Sequence, residues 1–110
     1  MIRIKLYIDG KERVYTARGV NLLMSYTAYE LLREYELAGG NYPQELLEKC
    51  EDFVCKCFGG SFSREQLLSG YTGSAFVLYP SIMNAVVAYS NEVIINFPEP
   101  AKKAPEKATT

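Results

Sequence analysis

Residues 2–8 alternate strictly, with Ile2, Ile4, Leu6 and Ile8 on one side and Arg3, Lys5 and Tyr7 on the other. A period of two predicts a strand with one buried face. Asp9-Gly10 follows, a dipeptide that makes tight hairpin turns because both residues tolerate positive φ. Lys11 and Glu12 are expected to continue the turn, and Arg13-Val14-Tyr15-Thr16-Ala17 to return as the second strand. A lone hairpin is marginal in water, so the helices downstream must cover its Ile/Leu face.

Beyond the hairpin the period changes from two to that of a helix. Gly19 breaks the second strand, and Asn21 is placed to cap a helix running to about Leu37. Met24, Ala28, Leu31 and Tyr35 form its apolar stripe, and Leu22, Tyr26 and Leu32 are expected to widen it, enough to contact both the hairpin and another helix. Ala38-Gly39-Gly40-Asn41-Tyr42 reads as a loop, and Pro43 suits the first turn of the next helix. There Leu46, Leu47, Cys50, Phe53, Val54, Cys57 and Phe58 repeat at core-facing spacing, with Glu45, Glu48, Lys49, Glu51, Asp52 and Lys56 on the remaining faces. Gly59-Gly60 ends that helix, one of the pair at the left-handed position beyond the last turn.

Ser63-Arg64-Glu65-Gln66 fits a capping box. It opens a short helix whose buried side is Leu67-Leu68 and whose end is Gly70, with Phe62 stapled onto Leu67 from outside the cap. A last helix is expected over residues 74–89, with Ile82, Met83, Val86, Val87 and Tyr89 on its apolar face. Pro80 either starts its main part or kinks a helix begun near Ala75. Val93-Ile94-Ile95-Asn96-Phe97 is β-prone and either adds a short strand or lies on the core. From Pro98 onward there are three prolines, several charges and no large apolar residue, a composition that cannot offset ordering entropy.

The expected organisation is therefore one domain over residues 1–97 and a flexible tail over 98–110. The fold class is α+β: an N-terminal β-hairpin packed on three to four helices. The core should hold Ile4, Leu6, Leu31, Leu47, Phe53, Val54, Phe58, Leu67 and Val86.

Charge changes the picture by exclusion. Twelve Lys and Arg oppose thirteen Asp and Glu, so no long-range pull draws nucleic acid. No apolar run approaches the roughly 20 residues needed to span a bilayer. Met1-Ile2-Arg3-Ile4-Lys5 lacks the long apolar stretch of a signal peptide. The expected setting is a cytoplasm.

Candidate chemistry is sparse. With no His, the chain lacks the commonest general base and the commonest metal ligand. Cys50, Cys55 and Cys57 would need a fourth ligand to bind zinc. Packing suits them better, with Cys50 and Cys57 on the buried stripe and Cys55 partly exposed. Glu45, Glu48, Glu51 and Asp52 read as a solvated face, and Gly59-Gly60 lacks the pattern of a phosphate loop. We expect no enzyme, no cofactor and no metal. Among nine tyrosines, Tyr42, Tyr71 and Tyr79 fall at loops or helix edges. Tyr brings a large apolar body and a polar tip, so these three are candidate protein contacts, with half-buried packing as the alternative. A groove between the helix begun at Pro43 and the final helix would be the natural place for a partner helix.

The hairpin I-R-I-K-L-Y-I-D-G-K-E-R-V-Y-T, a first helix, and then D-F-V-C-K-C-F-G-G-S-F-S-R-E-Q-L-L-S-G-Y resemble the tail assembly chaperones of long-tailed phages (siphophages) and related prophages. The frame that carries the likeness is Phe58, Gly59, Phe62, Ser63 and Gly70. The resemblance implies a non-catalytic protein that coats the tape-measure protein, keeps its apolar helices soluble and recruits the major tail (tube) protein. It further implies action in the host cytoplasm, absence from the mature virion, and possible self-association. In that family a ribosomal slip near the end of the short product yields a longer, frameshifted form. Lys102-Lys103 are what an A-rich slippery run would encode, or else two solubilising charges. A small phage or bacterial regulator that binds one host protein is the alternative function.

Overall fold

The computed structural model describes residues 2–18 and 20–89. Gly19, the β-prone stretch Val93-Ile94-Ile95-Asn96-Phe97, the boundary at Pro98 and the pair Lys102-Lys103 lie outside the described residues. The elements run β1 (Arg3–Ile8), β2 (Lys11–Thr16), α1 (Leu22–Ala38), α2 (Gln44–Cys57), α3 (Arg64–Gly70) and α4 (Ala75–Val87). This is the expected α+β arrangement, a two-stranded antiparallel hairpin followed by four helices.

The hairpin turn is as tight as its sequence allows. Asp9 and Gly10 both have positive φ, 54° and 75°, and Ile8 pairs directly with Lys11. Lys11 and Glu12 therefore belong to β2 rather than to the turn, because a two-residue loop with both residues left-handed already matches the twist of the strands. Ile2, Ile4 and Leu6 are buried. β2 is the outer strand, exposed along its first four residues.

Each helix starts on a side-chain cap or a proline. The Met24 N–H donates to Asn21 Oδ1 at 2.9 Å. Pro43, just outside α2, sits in extended backbone. Ser63 and Gln66 satisfy each other's backbone amides, at 3.0 and 2.9 Å, in the reciprocal capping box. Ser74 Oγ accepts from the Phe76 N–H. α2 closes in a Schellman motif, with Gly59 N–H bonded to Lys56 O and Gly60 N–H to Cys55 O. Gly59 and Gly60 both have positive φ, 62° and 74°, where a side chain would cost about 1–2 kcal/mol per residue.

Pro80 lies within a continuous α4. Having no N–H, it leaves the carbonyl of Phe76 without its helical partner. The Tyr35 hydroxyl of α1 donates to that oxygen at 3.4 Å. The proline thus creates a docking point for α1, the helix against which α4 packs most extensively.

One apolar cluster joins the hairpin to all four helices. Ile4, Leu6, Leu31, Phe53, Val54, Phe58, Leu67 and Val86 are buried as expected. Leu47 is only half-buried: neighbouring Leu46 takes the buried position, and Leu47 falls at the edge of the stripe. In α4 the inner face holds Leu78 and Tyr79 along with Ile82, Met83 and Val86, and Val87 turns outward. Phe62 packs its ring on Phe58 and Tyr15, centroids 5.5 and 5.1 Å apart, and so ties the turn after α2 to the hairpin.

Candidate protein-binding surface

The three candidate tyrosines occupy different settings. Tyr42, in the α1–α2 loop, is half-buried in an aromatic stack, with its ring 4.2 Å from that of Tyr35 and 5.4 Å from that of Phe76. Tyr71 is half-buried just after α3, over Gly73. Tyr79 is 4% exposed on the inner face of α4, and burial followed by the nearby Glu51 charge pushes its phenol up to about 12. Tyr71 and Tyr79 share one small depression of about 110 Å³ with Leu67, Leu68 and Leu78. Tyr42 does not line it.

A larger apolar surface lies on α1. Ala28, Leu31 and Tyr35 face the core. Leu22, Tyr26, Tyr29 and Leu37 recur at helical spacing on the opposite side, 67%, 61%, 57% and 79% exposed, with Leu23 beside them. Leu22 and Tyr26 do not widen the core stripe; at 100° per residue they fall across the helix from Leu31 and Tyr35, where no described element packs. The helix carries two apolar stripes, one inward and one outward. Its sequence held the signal in its weak amphipathicity, with apolar residues at nearly every phase. α4 adds a second exposed apolar area: its thirteen residues include no charge, and Phe76, Val77 and Val87 point out.

α2 is flanked by a groove on its α1 side. The groove has a volume of about 310 Å³, with Leu31 and Phe53 in its floor and Glu30, Glu34, Lys49 and Lys56 on its rims. Lys49 Nζ stands 3.5 Å from Glu34 Oε1 across it, an exposed pair of small energetic weight.

The acidic residues of α2 do not all face water. Glu51 is 7% exposed and accepts from Arg64 Nε at 2.8 Å. A buried carboxylate requires such a partner. Arg64 opens α3, so the pair spans the Gly59-Gly60 turn and helps set the angle between α2 and α3. It needs the turn's geometry, which a reading of helical phase alone does not contain. The thiols are quiet: burial pushes Cys57 up to about 12, and burial with the Glu34 and Glu51 charges pushes Cys50 up to about 11. Both are protonated at neutral pH and neither is a prepared nucleophile. Among the described residues no three His, Cys, Asp or Glu gather where they would hold a metal ion, and no helix is long and apolar enough to cross a membrane.

The family model for phage tail chaperone proteins matches residues 1–108 of the chain. Comparison with curated proteins and with solved structures finds no match.

Proposed function

This chain belongs to the phage tail chaperone family, and on that footing we propose that it binds the tape-measure protein through the outward stripe of α1. A tail assembly chaperone acts during assembly, within the host cell. The observation that carries the finer reading is the row Leu22, Tyr26, Tyr29 and Leu37, each more than half exposed on one side of a helix whose other side is core. Large apolar side chains held in a row by a rigid helix fit the apolar face of a second helix at positions i, i+3, i+4 and i+7. On this reading many copies of the chain would sit along one tape-measure protein, each on an amphipathic helix. The same family reading assigns recruitment of tube subunits to a longer, frameshifted product. Codons 101–103 would then carry an A-rich slippery run with an open −1 frame beyond it.

Tyr26→Glu combined with Tyr29→Glu tests the α1 surface. Both side chains are mostly in water, so the variant should melt with the parent. Co-expressed with the tape-measure protein, the parent should keep that protein soluble and co-elute with it, and the variant should do neither. Equal rescue by the variant would move the binding site off α1. Failure of the parent itself would remove the tape-measure protein as partner.

A further inference from the structure

We propose that the outer edge of β2 pairs with the same edge of a second copy of this chain, antiparallel about Val14, to form one four-stranded sheet. This pairing does not depend on the partner assigned above.

The hairpin register fixes which peptide groups look outward. Ala17 N–H donates to Ile2 O at 2.8 Å, and Ile4 faces Tyr15, Leu6 faces Arg13 and Ile8 faces Lys11. Hydrogen-bonded pairs alternate along an antiparallel ladder. The odd residues of β2 therefore bond to β1, while Glu12, Val14 and Thr16 turn their N–H and C=O away. Among the described elements only β1 runs beside β2. Helix α3 lies against β1 instead. Residues 11–14 are exposed, and Val14, β-branched and in the middle of the strand, is 57% exposed. An edge of outward-turned peptide groups is a template for a further strand.

The charges along β2 select the occupant and its register. Two antiparallel copies related by a two-fold axis place one residue opposite itself. Centring the pair on Glu12 sets Glu12 opposite Glu12 and Lys11 opposite Arg13. Centring it on Arg13 sets two guanidinium groups against each other. Like charges directly opposite are destabilising, which rules out both registers. Centring on Tyr15 keeps only residues 14–16 in the ladder. Val14 opposite Val14 keeps residues 12–16, with reciprocal bonds at Val14 and at each Glu12–Thr16 pair. Arg13 then lies opposite Tyr15, cation beside ring. That is the face on which Phe62 already packs against Tyr15, centroids 5.1 Å apart. Glu12 carries its own counter-ion, Lys5 Nζ at 2.8 Å, and so can face a hydroxyl. The edge is self-complementary in this register, which is what a closed dimer needs.

Sedimentation velocity and NMR on the full chain test this. The parent should pass from monomer to dimer as its concentration rises. Val14→Pro removes an outward N–H without touching a bond to β1, so it should fold as the parent does and weaken dimerisation at least about tenfold. Val14→Thr keeps the N–H and should dimerise like the parent. Amides of α2 report that each variant is folded. In a sample mixing labelled and unlabelled parent, the α-protons of Arg13 and Tyr15 should show a nuclear Overhauser contact between chains, because the non-hydrogen-bonded pair is the close one. That contact decides the matter even if Val14→Pro unfolds. A parent that stays monomeric at NMR concentration overturns the proposal, as does a dimer that lacks the contact or that a folded Val14→Pro leaves unchanged.

Discussion

Gly70→Ala is the substitution whose sign depends most directly on the packing described here. Gly70 has ordinary helical backbone as the last residue of α3, so Ala there should by helix preference alone gain about 0.5–1 kcal/mol. The neighbouring hairpin reverses the sign. A Cβ would stand 2.7 Å from Tyr7 O, 3.3 Å from Tyr7 N and 3.4 Å from Leu6 Cβ. Restoring ordinary contact requires a displacement of about 0.7 Å. The obstacle is backbone, so no rotamer relieves it, and Leu6 and Leu67 pin the two elements in the core at 0% and 2% exposure. Overpacking of this kind costs about 1–3 kcal/mol, which leaves a net loss of about 0–2.5 kcal/mol once the helix preference is subtracted. Urea unfolding followed by far-UV circular dichroism measures it as a lower midpoint at unchanged slope. A variant more stable than the parent would show that α3 does not lie against β1, and the account of the hairpin's cover would fall with it.

Phe53→Ala should destabilise by about 3–5 kcal/mol in the same assay, as expected for a buried ring at the centre of α2; a loss below about 1 kcal/mol would displace α2 from the core. Tyr35→Phe should cost about 1 kcal/mol by leaving the Phe76 carbonyl unbonded. That cost should shrink in a Pro80→Ala background, where the restored amide takes the oxygen; a double-mutant cycle without coupling would refute the link. The raised pKa values of Cys50 and Cys57, about 11 and about 12 against an ordinary 9.0, have a definite sign. The folded state holds the protons more tightly, so the stabilisation is complete below pH 9 and declines as pH rises through 11 to 12. Accordingly, at neutral pH a maleimide should label Cys55 first and reach Cys50 and Cys57 only on unfolding; rapid labelling of all three in the folded protein would contradict their burial.

Much of the fold was legible because local chemistry dictated it. Asp9-Gly10, Asn21, Gly59-Gly60 and the Ser63–Gln66 capping box each satisfy backbone groups within a few residues of themselves, and each appears as the sequence predicts. What escaped depends on which element arrives from elsewhere. Glu51 reads as one more charge on a solvated face until the turn after α2 brings Arg64 to it. Gly70 reads as a helix stop, whereas its role is to let β1 approach. Leu22 and Tyr26 share their residue type with the core positions of α1, and phase alone shows two stripes without saying which one the protein covers. The candidate tyrosines show the same ambiguity, since Tyr42 and Tyr79 sit in or against the core whereas Tyr26 and Tyr29 of α1 are exposed.

The claim that α1 turns one apolar stripe inward and offers the other to the tape-measure protein is tested most directly by methyl NMR with assigned leucines. Titration with a tape-measure helix should shift or broaden Leu22, Leu23 and Leu37, which are 67%, 71% and 79% exposed, and leave buried Leu6, Leu67 and Leu78 in place. Saturable changes confined to the α1 leucines would support the account; binding that spares all three while perturbing other methyl groups would contradict it.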